Sequence, residues 1–152
     1  MKLLLISSTG GHFNALCQLD TFWSQHDRTW VTFKSATTES FLATESVRWA
    51  FGPTNRNIPN LVRNLKLAFS VIFGTSHSGD RPDMVVSTGA GVAVPFILLA
   101  KLAGIKTVFI ESFTRVDDLS LSAKLVLPFI DKLYVQWEQL QARYPQAELI
   151  NL

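Results

Sequence analysis

The first stretch whose residue types could do chemistry is a glycine-rich loop that ends in a histidine. Ser7-Ser8-Thr9-Gly10-Gly11-His12 follows an apolar strand pattern at residues 2–6 and precedes a helical pattern. Glycine lets the backbone approach a bound group closely, and free N–H groups at a helix N-terminus attract phosphate and other anions. Gly10 and Gly11 are therefore predicted to bind an anion. The alternative is that they only form a tight strand-to-helix turn.

His12 is predicted to lie in the first turn of that helix, where the positive end of the helix dipole disfavours an imidazolium ion. A neutral imidazole can accept a proton, so one hypothesis makes His12 the general base for a substrate hydroxyl, such as that of a sugar. Two alternatives stay open. His12 binds the substrate without taking its proton, or it caps the helix by a hydrogen bond to the loop.

A second glycine loop, Ser87-Thr88-Gly89-Ala90-Gly91, has the same position between a strand pattern and a helical pattern. By the same argument, Thr88, Gly89 and Gly91 are predicted to bind a phosphate or another part of the same ligand.

A polar stretch, Glu111-Ser112-Phe113-Thr114-Arg115, follows a further apolar run. Glu111 and Ser112 could hold substrate hydroxyls, and the Arg115 guanidinium could pair with a phosphate through two hydrogen bonds. The alternative is a structural ion pair between Glu111 and Arg115.

Short apolar runs alternate with helical patterns along the chain. Strands are predicted at residues 2–6, 29–33, 47–51, 84–87, 107–110, 132–135 and 148–150, and helices at 12–25, 38–44, 60–73, 92–103, 119–129 and 137–143. This alternation indicates an α/β domain with a Rossmann-like, doubly wound parallel sheet covered on both faces. In the strand order 3-2-1-4-5, strands one and four are neighbours. Both glycine loops are therefore expected to face one crevice at the carboxyl edge of the sheet.

The composition limits the classes of function. The 152 residues suit one domain, and charged residues are only 17%, below the roughly 25% of typical soluble domains. We therefore expect an apolar surface that a partner or a membrane covers. A net charge of +2 does not indicate nucleic-acid binding. No run of about 20 apolar residues is present, so no transmembrane helix is expected.

Several kinds of site are disfavoured. The loop at Gly10 lacks the G-x-G-x-x-G dinucleotide fingerprint, which leaves an NAD-dependent oxidoreductase as a weak alternative. Cys17 falls in an apolar helical pattern and is interpreted as a core residue. No metal site is predicted, since His26 and His77 form no ligand pattern with Cys17. The pair Asp117-Asp118 is interpreted as a helix start.

The predicted helix at residues 60–73 contains two basic residues and no acidic one. A helical wheel places Leu61, Leu65, Ala68, Phe69 and Ile72 on one apolar face, which is expected to cover the sheet. On the opposite side it places a membrane- or partner-contacting surface formed by Arg63, Lys66, Leu67 and Val71. The alternative is an ordinary surface helix.

Taken in order, these motifs resemble a known family. The two glycine loops are similar to the acceptor domain of the GT-B transferase that completes lipid II in peptidoglycan synthesis. Residues 111–116, Leu119-Ser120 and Val135-Gln136-Trp137 resemble more closely the membrane-recruiting subunit of a two-chain UDP-GlcNAc transferase. That enzyme adds the second sugar of the dolichol-linked oligosaccharide, and bacterial relatives of the subunit serve capsule and exopolysaccharide synthesis.

The resemblance implies that residues 1–152 form a single acceptor-binding domain, equivalent to the N-terminal half of a GT-B glycosyltransferase. A second small glycosyltransferase subunit would carry the nucleotide-sugar site, and this chain would be inactive without it. The donor would be a UDP-sugar, with no cofactor and no metal. The acceptor would be a lipid-pyrophosphate-linked glycan that receives GlcNAc or another hexose. An alternative from another class is a non-catalytic scaffold that recruits and activates a catalytic subunit.

The resemblance also implies a place in the cell. Eukaryotic members carry an N-terminal membrane anchor, whereas the first strand pattern here begins at residue 2. We therefore expect a bacterial member that is cytoplasmic and peripheral on the inner face of the cell membrane.

Overall fold

A computed structural model describes residues 1–74 and 81–152. Its centre is a seven-stranded sheet in the order β3-β2-β1-β4-β5-β6-β7, in which every neighbouring pair is parallel. The strands are β1 (Lys2–Ser7), β2 (Asp27–Phe33), β3 (Ser46–Ala50), β4 (Met84–Gly89), β5 (Lys106–Ile110), β6 (Lys132–Val135) and β7 (Glu148–Leu149). The predicted order 3-2-1-4-5 is confirmed, and β6 and β7 extend it at the β5 edge.

Helices connect the strands on both faces of the sheet. They are α1 (Gly11–Cys17), α2 (Asp20–Trp23), α3 (Ala36–Phe41), α4 (Ile58–Phe73), α5 (Ala93–Leu102), α6 (Leu121–Val126) and α7 (Glu138–Arg143), with a 3-10 turn at Leu127–Phe129. Part of the predicted loop at residues 75–82, including His77, lies outside the described residues.

The central strands are apolar on both sides because each side is covered. In β1, Leu4 and Ile6 pack under α4 and α5, whereas Leu3 and Leu5 pack with Phe13 of α1 on the other face. Continuous apolar runs of this kind are typical of parallel strands buried between two helical layers. They explain why the sequence pattern predicted the sheet.

Two of the differences between the predicted and observed helices have a clear structural cause. The single helix expected at residues 12–25 is divided into α1 and α2, and the Trp23 indole N–H donates to the Leu16 carbonyl at 3.0 Å across the break. The helix expected from residue 119 begins at Leu121, because the Ser120 hydroxyl caps it by accepting from Ala123 N–H. The interpretation of Asp117-Asp118 as the helix start is therefore wrong.

The predicted orientation of α4 is wrong in part: Ala68 and Ile72 are buried as expected, but Leu61, Leu65 and Phe69 are exposed. Its buried residues are Asn60, Asn64, Ala68 and Ile72, and Leu67 and Val71 are half-buried against the core instead of facing outward. The Asn64 side chain accepts from Phe51 N–H at 2.8 Å and donates to the Phe51 carbonyl at 2.9 Å. Since buried amides persist when both of their polar atoms are paired, these asparagines can occupy the inner face.

As a result, the exposed face of α4 is apolar. Exposed residues include Ile58, Leu61, Leu65 and Phe69, next to the exposed basic residues Arg63 and Lys66. Within residues 1–74 and 81–152, every helix is too short or too polar to span a lipid bilayer.

Candidate functional site

The two glycine loops meet at the carboxyl edge of the sheet, as the strand order predicted. The backbone register shifts between Ile6 and Ser7, where β1 pairs with β4. Directly beyond this point, His12 Nδ1 lies 2.8 Å from the Thr88 carbonyl oxygen, and the Thr88 hydroxyl donates to the His12 carbonyl at 2.6 Å. These reciprocal hydrogen bonds hold the two loops together.

The Thr88 carbonyl also determines the form of the imidazole. A carbonyl oxygen only accepts hydrogen bonds, so Nδ1 must carry a proton. In the neutral ring, Nε2 is then the atom with a free lone pair. No hydrogen bond to Nε2 is formed by the residues that the structure describes. His12 is half-buried, and it can therefore present a fixed proton acceptor to a ligand.

Gly89 allows the histidine ring to lie so close to the second loop. Its φ angle is +118°, and a Cβ built on it would lie 3.1 Å from both Cε1 and Nδ1 of His12. Gly10 has a φ of +75° with open space around it, so its backbone conformation alone favours glycine. Gly10 is the N-cap residue of α1, so no side chain caps that helix, and no acidic residue lies in its first turn.

A cleft of about 340 Å³ opens beside His12 at the ends of β4, β5 and β6. Its wall includes five of the predicted site residues, namely Gly11, His12, Thr88, Glu111 and Ser112. Polar side chains of Asn14, Gln18, Thr114 and Gln136 and the ring of Phe113 complete most of the lining. Gly10, Gly89, Gly91 and Arg115 do not line it. Their predicted contacts with an anion stay predictions.

Glu111 organises the loop that forms the far wall of this cleft. Its side chain is fully buried, and Oε1 accepts from Ser112 N–H at 2.8 Å. Oε2 accepts from the backbone N–H of Ser120 at 2.8 Å and from the Ser120 hydroxyl at 2.9 Å. The proposed Glu111–Arg115 ion pair is therefore wrong for the described residues, since Arg115 is exposed and backbone donors satisfy the carboxylate.

The same loop is fastened from the β6 side. The Gln136 amide donates to the Glu111 carbonyl at 3.1 Å, and the Trp137 indole N–H donates to the Phe113 carbonyl at 2.6 Å. Gln136 and Trp137 were predicted only as part of a motif, with no individual role. They could have been found from strand order, because residues that follow adjacent parallel strands meet at one edge.

Asp118 holds the C-terminal end of the loop that follows β5 to α6 and to the end of α7. Its carboxylate accepts from Lys124 Nζ, from the Tyr144 hydroxyl at 2.7 Å and from Leu119 N–H at 2.9 Å. The hydrogen bond from Lys124, followed by that from Tyr144, holds the pKa of Asp118 well below its usual range. The same contact with Asp118 raises the pKa of Tyr144. The loop is therefore fixed at both ends by charge-assisted contacts.

The structure also describes the Cys17 thiol and the residues that could form a metal site. Cys17 is half-buried, and desolvation raises the pKa of its thiol to about 11, so it stays protonated near neutral pH. Among the described residues, no group of three or more His, Cys, Asp or Glu side chains is placed to hold a metal ion.

The parallel sheet, its strand order and the histidine loop at its carboxyl edge define a Rossmann-like domain of the GT-B type. The fold is similar to MurG of Acinetobacter baumannii, with a TM-score of 0.73 and 16% identity over 98% of this chain and 44% of the other. It is also similar to Anabaena HepE in complex with UDP-glucose, with a TM-score of 0.64 and 13% identity over 99% and 43% of the two chains. The predicted fold class, equivalent to the N-terminal half of a GT-B enzyme, is confirmed.

The family follows from sequence comparison. Residues 4–152 match the family model described as "Oligosaccharide biosynthesis protein Alg14 like", and the chain belongs to that family. A UDP-N-acetylglucosamine transferase subunit of Candida albicans is 34% identical over 125 residues, which cover 78% of this chain and 55% of the relative. The subunit of Schizosaccharomyces pombe is 42% identical over 76 residues, 47% of this chain and 36% of the relative. The chain thus spans about half or less of these relatives.

Proposed function

We propose that this protein is the acceptor-binding subunit of a heteromeric GT-B glycosyltransferase. The enzyme transfers GlcNAc or another hexose from a UDP-sugar to a lipid-pyrophosphate-linked glycan. The observation that carries the proposal is the His12–Thr88 pair, which uses Nδ1 and leaves Nε2 as the proton acceptor on a histidine that lines an open cleft. Membership of a family whose curated relatives are named UDP-N-acetylglucosamine transferase subunits supports the reaction class.

In this mechanism His12 is the general base. Its Nε2 takes the proton of an acceptor hydroxyl while that oxygen forms a bond to the anomeric carbon of the donor sugar. The bond between the anomeric carbon and the UDP oxygen breaks on the opposite side, and its electron pair leaves with UDP. This displacement inverts the anomeric configuration. The Thr88 carbonyl then stabilises the imidazolium, because a charged donor strengthens the hydrogen bond at Nδ1.

The remaining predicted residues would bind the acceptor. We assign the pyrophosphate to the backbone of the two loops, at Gly10, Gly11, Thr88, Gly89 and Gly91. The exposed Arg115 guanidinium would close over the same phosphates. Ser112 would position the acceptor hydroxyls at the opposite wall of the cleft, and the buried Glu111 carboxylate would act through Ser112, whose N–H donates to it.

A second small subunit would supply the nucleotide-sugar site, and we propose that it attaches to one face of the sheet. On the face that carries α1 and α2, the described helices leave part of β4, β5 and β6 uncovered, since Met84, Val108 and Tyr134 are only half-buried. The result is an apolar groove of about 640 Å³ with a lining that includes Met84, Val86, Val108, Ile110 and Tyr134. Apolar grooves of this size are typical of interaction sites. We therefore propose that an apolar segment of the partner subunit covers this groove.

The exposed face of α4 would contact the membrane. Ile58, Leu61, Leu65 and Phe69 are 73%, 50%, 46% and 58% exposed, and they form an apolar surface beside Arg63 and Lys66. An amphipathic helix with basic flanks binds weakly and reversibly to anionic lipid surfaces. This face replaces the one predicted around Leu67 and Val71. On this basis we propose a cytoplasmic protein that is peripheral on the inner face of the membrane. Its place in capsular or exopolysaccharide assembly is proposed from the sequence resemblance alone.

The test is reconstitution with the partner subunit. The complex is incubated with UDP-GlcNAc and a prenyl-diphosphate-linked sugar, and the product is resolved by chromatography and mass spectrometry. Transfer of one sugar by the complex, and not by either chain alone, is expected. A complex that forms but transfers no hexose from any UDP-sugar would overturn the proposal.

A non-catalytic scaffold is the second candidate, and one observation favours it. The same hydrogen bonds that orient His12 also lock the two loops together, so His12 has a structural role in either case. His12→Asn separates the candidates, because an asparagine amide can still donate to the Thr88 carbonyl but cannot act as a base. Full activity of that variant would leave only the scaffold.

A further inference from the structure

An exposed aromatic ring lies at the rim of the cleft. Phe113 is 60% exposed and lines the cleft together with His12. Its ring packs against the Trp137 ring with a centroid distance of 4.9 Å and an interplanar angle of 43°. One face of the phenyl ring is thus supported by a second aromatic residue, while much of the ring stays open to solvent.

Phe113 is held more rigidly than an ordinary exposed loop residue. Its carbonyl accepts from the Trp137 indole, and its neighbour Ser112 donates its N–H to the buried Glu111 carboxylate. Arg115 N–H donates to the Ser112 carbonyl at 3.0 Å, which closes a turn around Phe113. Because the backbone is fixed on both sides, the ring is ready for a ligand with little further loss of conformational freedom.

Groups that form hydrogen bonds surround the ring. The hydroxyls of Ser112 and Thr114 lie 3.0 Å apart beside it, and the side chains of Asn14 and Gln18 line the other wall. Gln136 uses its amide N–H₂ on the Glu111 carbonyl, so its side-chain oxygen can still accept. An aromatic surface bordered by hydroxyls and amides matches a pyranose ring, which has an apolar C–H face and hydroxyls around its edge.

We propose that Phe113, supported by Trp137, is the stacking surface for a sugar ring of the acceptor. The inference rests on the proposed function and names the part of the substrate that this wall recognises. Phe113 contacts the sugar, and Trp137 is a positioning residue that fixes the height and tilt of the ring. Stacking here places the bound pyranose in the same cleft as His12, whose Nε2 receives the proton of the reacting hydroxyl.

Binding is tested on the purified chain by saturation-transfer NMR with methyl β-N-acetylglucosaminide. UMP is measured in parallel, as the probe for the alternative in which Phe113 stacks on a nucleotide. In this glycoside H1, H3 and H5 share one face, so these protons should receive the most saturation. Phe113→Leu should weaken binding about tenfold, and Phe113→Tyr should retain it. Phe129→Leu, at an exposed phenylalanine outside the cleft, should leave binding unchanged.

Kinetics of the reconstituted complex separate binding from a general structural effect. Phe113→Leu should raise the KM for the acceptor severalfold with a smaller change in kcat, and Trp137→Phe should show the same pattern more weakly. Three binding results would overturn the stacking surface. The wild-type chain does not bind the glycoside, Phe113→Leu binds it as well as wild type does, or Phe113→Leu loses binding of UMP while it keeps binding of the glycoside. Normal transfer by Phe113→Leu would also overturn the stacking surface and leave the proposed function intact. Absence of transfer by the wild-type complex would instead count against the proposed function.

Discussion

His12 and Thr88 lie 76 positions apart, yet each donates a hydrogen bond to the main-chain carbonyl of the other. The ring nitrogen Nδ1 and the threonine hydroxyl are the two donors, so neither loop can shift without breaking both bonds. The pair therefore fixes the direction of Nε2, which is the requirement for a general base that must meet one hydroxyl in one orientation.

Replacing His12 should separate orientation from proton transfer. His12→Asn preserves a donor to the Thr88 carbonyl and should fold normally, but it should lower kcat by about 100- to 10,000-fold because the base is lost. The measurement is steady-state transfer by the reconstituted complex, with thermal unfolding as the check on folding. Thr88→Val, which removes only the hydroxyl that holds the His12 carbonyl, should cause a smaller loss. If His12→Asn transfers sugar at the wild-type rate, His12 is not the base.

Gly89→Ala should damage the site more than the fold. A Cβ at Gly89 meets both a φ of +118° and the His12 ring at 3.1 Å. The ring must move, so activity should fall by at least tenfold, and the strain should destabilise the domain by about 1–3 kcal/mol. Gly104→Ala is a matched control, because Gly104 also has a positive φ, +73°, with nothing within 4 Å of a Cβ. It should lose stability and keep activity. Equal activity losses in the two variants would contradict the role assigned to Gly89.

The meeting of the two glycine loops was predictable, and the reason is periodicity. Buried parallel strands leave continuous apolar runs such as residues 2–6, and strand order then determines which loops share an edge. Strand order brings the two loops to one edge, whereas the hydrogen bonds between His12 and Thr88 are seen only in the structure. The placement of the two loops was therefore accessible from the sequence.

The orientation of α4 was not accessible, because it depends on a contact that is distant in sequence. A helical wheel treats Asn60 and Asn64 as outward-facing, but Asn64 pairs with both backbone groups of Phe51, and Asn60 donates to the Pro53 carbonyl at 2.9 Å. These partners turn the apolar residues outward. Glu111 shows the same limit, since two of its three donors are the backbone N–H groups of Ser112 and Ser120, which no side-chain pattern reveals.

The stability of the domain should depend on Asp118 in acid. The hydrogen bond from Lys124 lowers the pKa of Asp118 in the folded state below its ordinary value of 3.8. A carboxyl with a lowered pKa stabilises the fold fully above its unfolded pKa, and that contribution is lost as pH falls from about 4 toward the folded value. Asp118→Asn should therefore flatten the acid side of a stability curve measured by urea unfolding between pH 2.5 and pH 7.

Asp131 provides the internal comparison for that curve. Its pKa is also lowered, chiefly by Lys101, so part of the acid dependence should persist in Asp118→Asn. Lys124→Ala should reproduce most of the effect of Asp118→Asn. An unchanged acid slope in both variants would show that the Asp118–Lys124 contact does not stabilise the fold.

A charge in the open sheet groove should weaken assembly. Val108 is half-buried and lines the groove beside its strand neighbours Val86 and Lys132. Val108→Lys would place an ammonium ion under the partner segment, at a cost on the order of 2–4 kcal/mol if the groove is covered in the complex. The measurement is the dissociation constant of the two subunits by calorimetry. Leu102→Lys, at a position 79% exposed on α5, should leave that constant unchanged. Equal affinity of Val108→Lys and wild type would place the partner elsewhere.

Membrane binding should depend on the apolar residues that α4 exposes. It should not depend on Leu67 and Val71, which the helical wheel placed on the outer face. Leu65→Glu combined with Phe69→Glu replaces two exposed apolar side chains and should abolish flotation with vesicles that contain anionic lipid. Raised salt should weaken binding of the wild-type chain, because Arg63 and Lys66 contribute electrostatic attraction that ions screen. Leu102→Glu is the control for an added charge on another helix. Flotation that survives the double substitution would leave α4 as an ordinary surface helix, since Leu67 and Val71 already pack against the core.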